Sequence, residues 1–310
     1  MNIKSLPKIG IFTSIAASLL FSSCLKINNN DQPNPPGPKP IDPPASVSLQ
    51  NIVLEKVDAY GTSVVARSIY KYDIYPKLEW EYTSSINPDV LTAPGRKYTR
   101  VGEGWRTELL SQGGRVNGAE YNISTRRDDG GNRVSEIRFT LASDNIIPPN
   151  KLKDIKVTYD ENSRVSSLTT ENSTYTLTWN GDGDIMKIEV EVSRKGTTTL
   201  NFTYDKSAPD PGIFWAFLEA FSIPKDGALD MYRKLIGMPA QKRLPSGVNI
   251  KTTGKGVLDL DIFYAWFENN VISLQLLNKG YAEGNRSYAQ LYYSAYNISD
   301  QNLEKLLNAR

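Results

Sequence analysis

The chain has 310 residues, enough for about two average domains or one large all-β domain. With 39% hydrophobic and 23% charged residues it can bury a core and is not disordered by composition. Histidine is absent, which excludes imidazole bases and ligands, and a lone cysteine excludes disulfides within the chain and thiolate metal clusters.

Lys4 and Lys8 precede an apolar run from Ile9 to Phe21, broken by Gly10, Thr13, Ser14 and Ser18. A bilayer-spanning helix needs about 20 apolar residues, and this run is shorter. A basic start, a short apolar stretch and then small residues predict a signal peptide over residues 1–23. Leu20-Phe21-Ser22-Ser23-Cys24 resembles a bacterial lipobox, with Phe21 where an aliphatic residue is usual. The resemblance implies that Cys24 is acylated and becomes the mature N-terminus. Each buried methylene contributes about 0.8 kcal/mol, so a multiply acylated cysteine would hold the chain at a membrane through lipid alone. Removing residues 1–23 takes away Lys4 and Lys8 and no acids, so the formal net charge falls from +2 to 0. That balance argues against a nucleic-acid partner, which needs a basic stripe.

Residues 24–45 carry the lipidated cysteine and then a proline-rich tether. Seven of the 18 prolines fall here: Pro33, Pro35, Pro36, Pro38, Pro40, Pro43 and Pro44. Such a segment is extended, at about 3.1 Å per residue in the polyproline conformation, and sets the body off from the membrane.

From residue 46 to 310 the pattern is that of one β-rich domain, with an optional division into 46–118 and 119–310. Leu78, Trp80 and Tyr82 alternate with Lys77, Glu79 and Glu81; Lys187 to Val192 alternates in the same way; Leu258, Leu260, Ile262, Tyr264 and Trp266 form another two-residue period. One wet face and one dry face predict antiparallel sheet. Helix is sparse. Asp210-Pro211 predicts one helix through 213–221, Asp226 a second running to Leu235 and closed by Gly237, and Ser299-Asp300 a terminal one with Leu303, Leu306 and Leu307 on one side. The fold expected is mainly β: an antiparallel meander of hairpins forming a large, curved, half-barrel-like sheet, with two or three short helices packed on it.

A weak repeat runs through the middle. Val157 to Leu168 reads strand, polar turn, strand; Leu177 to Ile188 follows in the same register, and Phe202-Thr203-Tyr204-Asp205 opens a third copy. Arg127 to Ile137 is a looser version upstream. Tyr159, Trp179 and Tyr204 recur about every 20 to 25 residues, one hairpin per repeat. Asn, Asp, Gly and Ser supply the turns, and the flanking aromatic and aliphatic residues pack on a shared face. The unit resembles the tyrosine–aspartate repeats of bacterial surface proteins, with Ser163 in place of the turn glycine and Asp184 in place of the arginine. Together with the lipobox and tether, the chain is similar to an uncharacterised group of Bacteroidota envelope lipoproteins with a porin-like β fold. Gly237 and Leu244-Pro245-Ser246 before a long hairpin add to the likeness. The resemblance implies an envelope location, by lipid anchor at the outer membrane, and no catalytic residues or cofactors.

Three groups carry candidate chemistry. Asn180, Asp182, Asp184 and Glu191 stand at positions 1, 3, 5 and 12 of a calcium-loop pattern, whose alternate oxygens can wrap a hard cation; a hairpin turn accounts for the same residues, since Ile185 replaces the loop glycine. Asp259 and Asp261 share one strand face about 7 Å apart, a separation that permits acid–base chemistry on a polysaccharide and equally suits a solvated face. Tyr288, Tyr292 and Tyr296 share one face of a predicted strand, with Ala289, Leu291, Tyr293 and Ala295 opposite. Rigid amphipathic rings of this kind suit a glycan or a protein partner, and also pack well across ordinary sheets. A second dense stretch is Tyr70, Tyr72, Tyr75, Trp80 and Tyr82. The triplets at Asn122, Asn172, Asn201, Asn285 and Asn297 follow from threonine-rich strands. The reading is a non-enzymatic binding module on a lipid anchor; a carboxylate-based polysaccharide enzyme and a structural subunit of an envelope complex are the alternatives.

Overall fold

The computed structural model describes residues 51–57, 64–74, 77–84, 95–110, 116–142, 152–205, 209–210, 214–215, 218, 227–239, 241–267, 271–278, 291–297 and 301. Within these lie sixteen strands: β1 (Asn51–Val57), β2 (Val64–Ile74), β3 (Lys77–Ser84), β4 (Gly95–Val101), β5 (Gly104–Leu110), β6 (Val116–Arg127), β7 (Val134–Leu141) and β8 (Ile155–Tyr159). They continue as β9 (Val165–Thr169), β10 (Ser173–Trp179), β11 (Ile185–Val192), β12 (Gly196–Thr203), β13 (Gly247–Thr252), β14 (Val257–Phe267), β15 (Val271–Asn278) and β16 (Leu291–Asn297). The α-helix among the described residues, α1, spans Ala228–Leu235.

On β10, β11 and β14 the alternation in the sequence is the alternation in space; on β3 the expected wet and dry faces are exchanged at Glu81, which turns inward because Lys234 and Tyr98 hold its carboxylate there. On β10, Ser173, Tyr175, Leu177 and Trp179 are buried while Thr176 and Thr178 face solvent. Each strand pairs antiparallel with its sequence neighbours, giving the expected meander of hairpins in a curved sheet. The curvature goes beyond a half-barrel, because β1 also pairs with β16, Val53 opposite Tyr296, and the strand order closes on itself. Residue 118, where the optional division falls, lies inside β6, which is paired on both sides.

A ring of this many strands is too wide for its own side chains to fill. Here the described residues of the connection between β12 and β13, among them 214–215, 218 and 227–239, occupy it. α1 packs against β3 and against β9, six places apart in the strand order, which is possible only from the concave side. Trp215 lies against Trp179, ring centroids 6.1 Å apart, and Phe214 meets Phe202 edge-on at 5.5 Å. The sheet is therefore apolar inside: Tyr121, Ile137, Ile155, Leu177, Ile188, Leu200 and Val248 are all buried. On β5–β8, β11 and β13 the outer face is charged, with Arg106, Arg126, Arg138, Lys156, Glu191 and Lys251 exposed.

The helices depart from expectation in detail. The second expected helix forms as α1 and ends, as anticipated, at a left-handed Gly237 (φ 93°). Its N-cap is Gly227 at φ 94° rather than Asp226, and a Cβ there would stand 3.2 Å from Leu152 Cδ2. Steric closeness and a left-handed backbone, not a side-chain cap, decide that end. In the first expected helix, Phe214, Trp215 and Leu218 adopt 3₁₀ conformation, and Asp210 Oδ1 accepts the Phe214 N–H at 3.3 Å. Of the terminal helix only Gln301 is described, and it is helical.

Candidate functional site

The densest ionisable cluster among the described residues lies on the inner face, where α1 meets β3, β4 and β6. Three residues of α1 within one turn begin it: Asp230 Oδ1 accepts from Arg233 Nε at 2.8 Å, and Asp230 Oδ2 pairs with Lys234 Nζ at 2.5 Å. Lys234 also reaches Glu81 Oε2 on β3 at 2.5 Å. Tyr98 on β4 donates its hydroxyl to Glu81 Oε1 at 2.6 Å. Arg96, two residues back and hence on the same face, holds Glu120 through Nε–Oε2 at 2.6 Å and Nη2–Oε1 at 2.9 Å. Three carboxylates (Glu81, Glu120, Asp230) thus face three cations (Arg96, Arg233, Lys234).

Mutual pairing sets the protonation states. Burial pushes the Asp230 carboxyl up, but Lys234 and Arg233 beside it outweigh burial and hold it well below the usual carboxylate range. Burial pushes the Lys234 ammonium down, and Asp230, Glu81 and Tyr98 more than reverse this. Burial and then the Glu81 charge raise the Tyr98 phenol well above its ordinary value. Groups fixed so far from neutrality are poor proton shuttles. What the arrangement does is bind the helix to the barrel wall, with the Arg233 guanidinium and Lys234 ammonium each 6.0 Å from the Tyr70 ring centroid.

The residues singled out from sequence fall in different places. Asn180, Asp182 and Asp184 occupy the β10–β11 turn, where Asn180 Oδ1 accepts the backbone N–H groups of Asp182 and Asp184, both at 2.9 Å. Asp184 is fully buried and bonds Arg243 Nε at 2.8 Å, while Glu191 stands far along β11, in register with Thr174 and Thr197. The four oxygens do not converge. Asp259 and Asp261 lie half-buried on β14 in register with Asn249 and Gly247. Tyr292 and Tyr296 are on β16, in register with Val57 and Val53 of β1, hence on the strand face opposite Leu291, Tyr293 and Ala295. Cys24 and Tyr288 lie outside the described residues.

Arg96, Glu81, Glu120 and Arg243 escaped sequence reasoning. Asp230, Arg233 and Lys234 at i, i+3 and i+4 announce a helical ion triad. Nothing in spacing announces its partner on β3, 153 residues away.

No family model and no curated protein matches the chain. Among solved structures it is similar to a porin-like protein from Bacteroides uniformis ATCC 8492, with 13% identity over 81% of this chain and 97% of the other, at a TM-score of 0.53. A porin-like protein from Bacteroides vulgatus ATCC 8482 matches over 81% of this chain and 99% of the other, at 11% identity and a TM-score of 0.32. TcdB2-TccC3 without its hypervariable C-terminal region matches 78% of this chain but 16% of its own length, at 13% identity and a TM-score of 0.26. The likeness that reaches a shared fold is the first, and this chain has a porin-like β fold.

Proposed function

We propose that the chain is a cell-envelope lipoprotein, held at the outer membrane by acylated Cys24, whose β body is a non-enzymatic binding or interaction module. The observation that carries this reading is the polarity of the sheet. A barrel that spans lipid turns an apolar band outward, and an arginine or lysine at mid-bilayer on that face costs about 2–4 kcal/mol. Here the outer face bears Arg106, Arg138, Lys156 and Lys251, and the interior is packed with aromatic and aliphatic side chains. A water-facing body with a filled lumen needs a separate attachment, and the lipobox-like segment offers one. The polar exterior of β5–β13 is the surface proposed for a glycan or protein partner, with the tyrosines of β16 as a second candidate.

The test is labelling of the native host with a clickable palmitate analogue, followed by fractionation. The intact chain should carry the label and sediment with membranes, and Cys24→Ala should be unlabelled and released. An unlabelled native chain would overturn the anchor. Glycan-array screening and envelope pull-down with Tyr292→Ala and Tyr296→Ala then test the binding face; capture that these variants leave unchanged would move the site elsewhere.

A further inference from the structure

We infer that Arg243, from the connection inside the barrel, is the missing arginine of the third hairpin turn, supplied from 59 residues away and latching that connection onto the repeat ladder.

The first two turns show the pattern. In the β6–β7 turn, Asp128 Oδ1 accepts the N–H groups of Asn132 and Arg133 at 3.1 and 3.2 Å, and its Oδ2 takes Arg133 Nε at 2.7 Å. Arg133 then lies over the ring of Tyr159, 5.1 Å from its centroid, and Tyr159 donates to Val134 O at 2.8 Å. In the β8–β9 turn, Asp160 Oδ1 accepts from the N–H groups of Asn162 and Arg164 at 2.9 and 2.8 Å, and Oδ2 takes Arg164 Nε at 2.8 Å. Arg164 lies over Trp179 at 5.8 Å, and Trp179 Nε1 donates to Val165 O at 2.7 Å. Each rung is an aspartate fork, a guanidinium on the next repeat's aromatic ring, and a bond from that ring to the residue after the arginine.

The β10–β11 turn keeps the ring and loses the arginine. Tyr204 donates to Ile185 O at 2.7 Å, as Tyr159 and Trp179 do in their rungs. The arginine position is Asp184, and the turn's first residue is Asn180. Arg243 restores both lost parts. Asp184 Oδ1 accepts the N–H groups of Lys242 and Arg243, both at 2.9 Å, and Oδ2 takes Arg243 Nε at 2.8 Å, the same fork as in the first two rungs. The Arg243 guanidinium lies 5.2 Å from the Tyr204 ring centroid. Next to it, Gln241 Oε1 accepts the Ile185 N–H at 2.9 Å, so the whole 241–243 segment is seated on this rung. Reversing the charge at position 184 thus exchanges a local bond for a long-range one, which ties the lumen-filling segment to the sheet.

Two substitutions separate the rung from the latch. R243A removes both, so thermal unfolding of the full chain should shift down by roughly 5 °C, and trypsin cleavage within 204–246 should speed up on the order of tenfold. Asn180→Asp with Asp184→Arg rebuilds the rung locally and frees Arg243. That pair should keep the unfolding temperature yet expose the connection to trypsin, and adding R243A to it should change neither readout. A trypsin rate unchanged by R243A, or a further loss when R243A is added to the rebuilt pair, would overturn the inference. Should the rebuilt pair not fold, a cycle of Asp184→Asn and R243A decides: a double variant no worse than the worse single supports the latch, and additive losses refute it.

Discussion

Arg96 and Glu120, 24 residues apart in sequence, meet in a two-pronged ion pair inside the barrel, with the Glu120 side chain wholly enclosed and that of Arg96 25% exposed. A planar guanidinium matches both carboxylate oxygens at once, so the pair fixes the relative register of β4 and β6 from within. Removing one member leaves the other desolvated without its counter-charge. Glu120→Gln is expected to cost about 3 kcal/mol, measured by urea unfolding. A loss below about 0.5 kcal/mol would show that the pair is incidental to the wall.

Trp215 supports the lumen filling by packing. It is 4% exposed, contacts Trp179 and Phe214, and donates Nε1 to Pro239 O at 3.0 Å. Trp215→Ala should cost about 3–5 kcal/mol by chemical denaturation, since a buried ring is replaced by a void. A near-neutral result would mean that the connection contributes little to the fold.

Ser163 holds a left-handed backbone, φ 62°, in the β8–β9 turn. An L side chain pays for that conformation, and glycine does not. Ser163→Gly, which restores the usual glycine of the turn, should stabilise by about 0.5–1 kcal/mol in urea titration. Destabilisation instead would place the strain elsewhere.

Acid should weaken the ion pairs that tie the interior together. Asp230 is held below its ordinary value by Lys234 and Arg233 against the opposing effect of burial, and Asp184 by Arg243 and two backbone N–H groups, likewise against burial. Groups whose folded values are depressed contribute stability above the unfolded value of about 3.9 and lose it as pH falls through the folded values. Unfolding free energy should therefore be flat from neutrality to about pH 5 and decline below about pH 4. A flat profile down to pH 2 would contradict the direction assigned to both groups. Lys234→Met removes one counter-charge of Asp230, brings its folded value closer to the unfolded one and should make the decline below about pH 4 smaller.

The charged outer face makes a conductance experiment decisive for membrane topology. Purified body added to planar bilayers should give no channel steps, because its exposed lysines and arginines cannot face hydrocarbon. Reproducible steps of one size would overturn the assignment of inside and outside.

The antiparallel meander was legible because its cause is local. Alternation at Lys187–Val192 or Leu258–Trp266 dictates a two-faced strand whatever its neighbours, and polar turns every 20 to 25 residues dictate hairpins. The turn oxygens of Asn180, Asp182 and Asp184 were legible as a group and favoured a hairpin turn over a cation, but nothing near them in sequence pointed to Arg243. The cap of α1 was misassigned to Asp226 because the contact that demands glycine at 227 comes from Leu152, 75 residues upstream.

Residue order alone therefore set the strands, the hairpins and the lipobox-like start, all of which depend on near neighbours and on a period of two. Tertiary structure alone decided that the ring closes, that the described residues between β12 and β13 pack inside it, and that Glu81, Glu120 and Asp184 find their cations on distant segments. Those outcomes turn on enclosure and on desolvated charge, and neither exists until the chain has brought remote parts of itself together.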